Sequence, residues 1–191
     1  MIRLALGVVL GVVLMVAAAV NIVRTTSLDA VEAPGFIEVR LMGWLRGYAT
    51  PPEVAARTNP VAESRERMRE ARAHYADHCA TCHGADGSGE TPIGRGLSPR
   101  PPDLRAAPTQ RQSDGALFHA IERGVRFTGM PAFTTATPDG EAASWALVRL
   151  IRTMPRWSPS DVQDVRSQMP RPPAEIRREL DDERFLEGGQ P

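Results

Sequence analysis

Cysteine occurs only twice in this 191-residue chain, at positions 79 and 82, and histidine follows at once at 83. The run Cys79-Ala80-Thr81-Cys82-His83 constrains the chain more than any other feature. C-x-x-C-H is the spacing of covalent haem attachment. Two thiols that add across the two vinyl groups of one haem must stand a short, fixed distance apart on a single turn of backbone. A histidine directly after the second thiol then lies under the iron and ligates it. Two other chemistries use the same thiols. A thioredoxin-like pair calls for a βαβ setting, and no such pattern is visible. A zinc site needs further ligands, with His74 and His78 the nearest supply.

The N-terminal segment bears on that choice. Residues 4–23 are almost entirely apolar, with Arg3 before them and Arg24 after. About 20 such residues cross the hydrocarbon core as a helix. Ala17-Ala18-Ala19 offers a small-residue cleavage site of the kind found in signal peptides. The apolar run continues beyond it through Ile22 and Val23, which points to an uncleaved anchor over 1–24. Either reading carries the remainder out of the cytoplasm, where haem is joined to exported chains. The expected place is the inner membrane, single-pass, with the remainder on the periplasmic or extracytoplasmic side. One arginine on each flank does not orient the helix.

Charge excludes one class of partner. Twenty-three basic residues, all arginine, balance 23 acids, so no nucleic-acid partner is indicated. Seventeen prolines and 16 glycines, without strand-type alternation, predict helices joined by irregular stretches.

A second axial ligand is expected downstream. Met130 lies in Gly129-Met130-Pro131, 47 positions after His83. Glycine permits close backbone approach, proline stiffens the loop, and a thioether is a soft ligand that raises the potential of iron. Met68, Met154 and Met169 sit in helical or tail contexts that suit packing or surface roles. His119 is the other candidate, but it falls within a predicted helix.

The chain resembles the class I c-type cytochromes. The matching pieces are 75–84 (YADHCATCHG), 86–89 (DGSG), 94–97 with the proline-rich run 99–104, 120–133 (AIERGVRFTGMPAF) and 145–154 (WALVRLIRTM). The resemblance covers residues 62–154. The resemblance implies an all-α fold, a few helices around one haem c, with the first helix crossing the last. It implies Cys79, Cys82, His83 and Met130 as cofactor-binding residues, with His83 and Met130 on the iron. It further implies that a carbonyl of the proline-rich region accepts a hydrogen bond from the unligated nitrogen of His83.

Local signals agree with helices in those places. Asn59 and Pro60 read as the cap and first residue of a helix that ends at the haem cysteines. Ser113 caps a middle helix that stops at Gly124. A last helix follows Thr137-Pro138 and halts before Pro155. Tyr75 or its neighbours are expected to pack on the Trp145 face. Around this domain lie two appendages. In the linker 25–61, Ile37, Leu41, Trp44, Leu45 and Tyr48 fall on one helical face. That face suits a membrane surface, the chain's own domain or a partner subunit. The tail 155–191 carries six arginines and eight acids and reads as solvated or loosely docked.

The expected role is single-electron transfer between a redox protein donor and an acceptor in a respiratory-type chain, not catalysis. A place as subunit of a dehydrogenase or oxidase is compatible with it. The competing role is a haem peroxidase or gas sensor whose sixth iron position is open. Arg95, Arg100, Arg105, Arg123 and Arg126 are expected near the haem, where positive charge steers acidic partners.

Overall fold

The computed structural model describes residues 2–25, 29–30, 32, 35–171 and 173–186. Among them there is no strand. In chain order the helices are α1 (Ile2–Thr25), α2 (Phe36–Ala49), α3 (Pro52–Ala55), α4 (Arg65–His78), α5 (Ala80–His83) and α6 (Pro92–Arg95). They continue with α7 (Ala107–Gln110), α8 (Asp114–Arg123), α9 (Pro138–Thr153), α10 (Pro159–Gln168) and α11 (Pro173–Leu186). The expected all-α domain is present, with one apolar helix at its N-terminus.

The long helices begin where short polar side chains can accept from free backbone N–H groups. Ser113 accepts from Ala116 at the head of α8, and Thr137 accepts from Gly140 at the head of α9. Gly124, at φ +66°, ends α8 in a conformation that a side chain would oppose. The head of α4 differs from expectation. Its cap is Ser64, which accepts from Arg67 N–H. Asn59 instead donates to the Trp145 carbonyl at 2.9 Å and accepts from Val61 N–H at 3.0 Å. The cap signal at 59 is thus used to fasten an extended segment to α9.

Helices α4 and α9 pack on each other, α8 packs on α9, and α10 packs on α4. Tyr75, Trp145, Val148, Leu150, Met154 and Val165 are the largest fully buried side chains. At roughly 1.5–3 kcal/mol for each large apolar side chain removed from water, this cluster dominates the stability of the domain. The ring pairing was not anticipated. Phe118 stacks on Trp145 with centroids 4.1 Å apart, and Tyr75 meets Trp157 edge-on at 6.3 Å.

Both flanks contribute to this body. In the segment expected to be linker, α3 packs on α8 so closely that a Cβ on Gly115 would stand 1.9 Å from the Val54 carbonyl oxygen. Arg57 lies over the Phe118 and Trp145 rings, 4.8 and 5.2 Å from their centroids, and pairs with Glu141. Arg149 donates to the Val61 carbonyl at 2.6 Å. In the expected tail, α10 opens with a reciprocal capping pair between Ser158 and Asp161. Arg72 of α4 reaches Asp161 at 2.8 Å and Asp164 at 3.2 Å, and Val165 is wholly buried. The described side chains of α1, α2 and α11 are, by contrast, exposed.

Candidate haem site

The C-terminal end of α4 delivers the two cysteines. Cys79 N–H donates to the Tyr75 carbonyl, and the turn α5 follows without a break. Ala80 and Gly84 are buried at this corner, and Gly84 turns the chain at φ +81°. The Tyr75 hydroxyl donates to the Gly84 carbonyl at 2.7 Å, which ties the corner to α4. Thr91 caps α6 and also donates to the Cys82 carbonyl at 3.3 Å. A Cβ on Gly94 would meet the carbonyl oxygens of Gly89 and Cys82 at 2.4 and 2.8 Å. The loop therefore closes against the Cys79–His83 turn only because position 94 has no side chain.

Met130 stands on a separate loop held by its own bonds. Val125 N–H donates to the Met130 carbonyl at 3.1 Å, and Met130 N–H donates to Thr128 Oγ1 at 3.1 Å. Thr128 Oγ1 donates in turn to the Val125 carbonyl, and Phe133 N–H to the Ile121 carbonyl. These bonds anchor the loop to the end of α8.

Cys79, Cys82, His83 and Met130 line one cavity of about 210 Å³. Its other walls are chiefly apolar: Leu97, Leu104, Ile121, Leu147 and Ile151, with Pro99, Pro101 and Pro102 from the proline-rich run. A single water needs only about 10–15 Å³ of such space, and interiors are otherwise close-packed. An apolar void this large is a cradle for a sizeable apolar group. No disulfide joins the two cysteines. Burial, reinforced by Cys82, pushes the Cys79 thiol up to about 12. That is opposite to the lowered pKa of a reactive redox thiol.

His83 is largely buried, and burial lowers its pKa, which favours the neutral imidazole a metal requires. The Pro102 carbonyl lies against the ring and opposes that shift. Nδ1 is buried short of a full hydrogen bond to it. A buried, nearly orphaned ring nitrogen facing a carbonyl fits a histidine oriented for ligation. The donor set, the apolar walls and the cavity's size all fit haem. Among the described residues, no group of three or more His, Cys, Asp or Glu is placed to hold a metal ion.

Of the five arginines expected near the cofactor, Arg100 lines the cavity. Arg105 is engaged with Asp103 and Asp86 at 2.9 Å each. Its bonds hold the Asp103 carboxyl below the usual range. Arg95 lies 3.9 Å from Glu90. His78, which the sequence offered only to zinc, lines the cavity and stacks on Phe133 at 6.3 Å. Its position beside Cys79 was the available signal. His119 is on α8, away from the cavity lining.

Residues 66–151 match the family model described as Cytochrome C oxidase, cbb3-type, subunit III. No curated protein matches the chain.

Proposed function

We propose that, in the c-type cytochrome domain this chain carries for haem-based electron transfer, Cys79 and Cys82 make the two thioether links to haem c while His83 and Met130 hold the iron. The observation that supports this most strongly is the convergence of all four side chains on one apolar cavity, three from the α4–α5 corner and one from the loop after α8. Haem c supplies a one-electron iron couple whose potential a thioether ligand raises. The protein's own part is positioning and exclusion. The α4–α5 corner fixes the cysteines and His83, and the bonds through Thr128 and Val125 fix Met130. Pro99, Pro101, Leu104 and Ile121 line the cavity and would keep water from the iron. If His83 and Met130 both held the iron, no position would be left on it for dioxygen or peroxide. This favours a carrier over a peroxidase or sensor.

In the same reading, α1 is an uncleaved anchor, and the haem domain works at the outer face of the inner membrane. A redox protein donates the electron and another accepts it. The description of the matched family favours an oxidase complex as the setting, over a dehydrogenase. Copurification of oxidase subunits with the tagged chain would support that assignment, and recovery of the chain alone would oppose it.

Ligation is tested by the absorption spectra of the oxidised and reduced protein beside Met130→Ala. A low-spin oxidised spectrum with a weak band at the red end, absent from the variant, is the expected result. A high-spin spectrum in the unaltered protein would mean an open iron position. The carrier reading would then give way to peroxide or gas chemistry.

A further inference from the structure

Helix α2 differs from every helix of the haem domain. Ile37, Leu41, Trp44, Leu45 and Tyr48 share roughly 100° of its circumference, since successive residues are turned by about 100°. Yet every described residue of α2 is exposed. Ile37 is 78% exposed, Trp44 64% and Tyr48 81%. The sequence left three covers open for this face, and packing on the chain's own domain is not what the structure shows. A helix of this length is marginal in water unless its apolar face is covered. A contiguous exposed patch of this kind marks an interaction surface.

The connections of α2 narrow the choice of cover. Ahead of it stands α1, in which Ala5–Thr25 is long and apolar enough to cross a membrane. Residues 26–35 separate the two helices, and ten residues span at most about 36 Å. After it, Thr50 and Pro51 lead straight into α3, which is packed on α8. One end of α2 is thus tied near the bilayer and the other to the haem domain. The lipid surface is the apolar phase always within its reach. Its side chains suit that surface. Trp44 and Tyr48 stack with centroids 5.8 Å apart and planes at 18°. Each has an apolar ring and one polar tip, the combination that belongs at the level of the headgroups. Arg40 lies over the Phe36 ring, 5.7 Å from its centroid, and brings a cation to the edge of the face. Anionic headgroups complement it.

We propose that α2 lies in the plane of the membrane–water interface, with the Ile37–Leu41–Trp44–Leu45–Tyr48 face in an anionic phospholipid bilayer. It thereby holds the haem domain at a short, fixed distance from the membrane. The proposal rests on the reading of α1 as an uncleaved anchor.

The test uses the full-length haem-loaded protein in vesicles of phosphatidylcholine and phosphatidylglycerol, with and without bromine on the acyl chains. Subtracting the emission of Trp44→Phe isolates Trp44 from Trp145 and Trp157. The expected result is that brominated lipid removes at least half of the Trp44 emission and aqueous iodide leaves it. Leu41→Glu with Leu45→Glu should abolish the lipid quenching while α1 keeps the protein on the vesicles and the haem spectrum is unchanged. Quenching by iodide alone would put α2 in water and overturn the proposal. Protection from both quenchers, with a larger species on sizing, would mean a protein cover and overturn it equally. Loss of the N-terminal segment by intact mass, with failure to float with vesicles, would instead remove the anchor reading and the proposal with it. That failure is recognised by flotation and mass, before any quenching is read.

Discussion

The two sides of α9 are built by different means. One side carries Trp145, closed in by the Phe118 ring at 4.1 Å and by the Arg57 guanidinium. Protein groups alone complete that side. The other side carries Leu147 and Ile151, which face the cavity. There the opposing wall is loop, stiffened by prolines, by glycines no side chain can replace, and by bonds such as Thr128 to Val125. The first side holds itself by apolar contact. The second is shaped in advance, and under the proposed attachment haem would supply its remaining cohesion and the core missing from the cavity.

Substitutions on the two sides should separate these contributions. Trp145→Ala should have the largest effect, a loss of about 3–5 kcal/mol in denaturant unfolding. Below its unfolding midpoint the variant should keep the haem spectrum. A loss under about 1 kcal/mol would mean that Phe118 and Arg57 do not depend on the indole.

Gly124→Ala acts on the cavity side. The residue sits at φ +66° and ψ −174°, a region open essentially to glycine, and a Cβ would stand 2.7 Å from Ala132 N. About 1–3 kcal/mol should be lost. The weak red band assigned to sulfur ligation should fade at the same time, because the strain falls on the loop of Met130. Loss of stability with an unchanged band would break the link between Gly124 and ligand placement.

Ser158→Ala should cost about 1 kcal/mol through the cap of α10. It should expose α10 amides to hydrogen exchange ahead of those of α4. The same element should respond to acid. Bonds from Ser158, and then the charge of Arg72, hold the Asp161 carboxyl below its usual range. Its stabilising contribution is complete above the unfolded value of about 3.9 and is lost as pH falls through the lower folded value. Exchange in α10 should therefore be unaffected by Asp161 between pH 7 and 5 and rise below about pH 4. A rise already at pH 5–6 would assign the docking to another group.

Local signals were read correctly where the cause is local. Ser113, Gly124 and Thr137-Pro138 bound α8 and α9 because caps and stops act within one turn. Cys79 and Cys82 stood out because the C-x-x-C-H spacing is a local pattern. Asn59 misled for the same reason in reverse. A cap residue before proline also suits a turn, and its amide is claimed by the Trp145 carbonyl 86 positions away.

The sequence alone determined that the chain is helical, that Cys79, Cys82 and His83 stand in the C-x-x-C-H spacing, and that Met130 is the methionine set between glycine and proline. Each follows from residues a few positions apart. The tertiary structure decided that the Pro102 carbonyl lies against His83, and that Phe118 stacks on Trp145 while Tyr75 meets Trp157 edge-on. It also decided that residues 51–61 and α10 belong to the packed body, while α2 stands bare. Those outcomes depend on which distant surfaces meet, as when Arg72 reaches Asp161 across 89 positions. Apolar contact is non-directional and pairs whatever faces fit, so no periodicity along the chain records the choice.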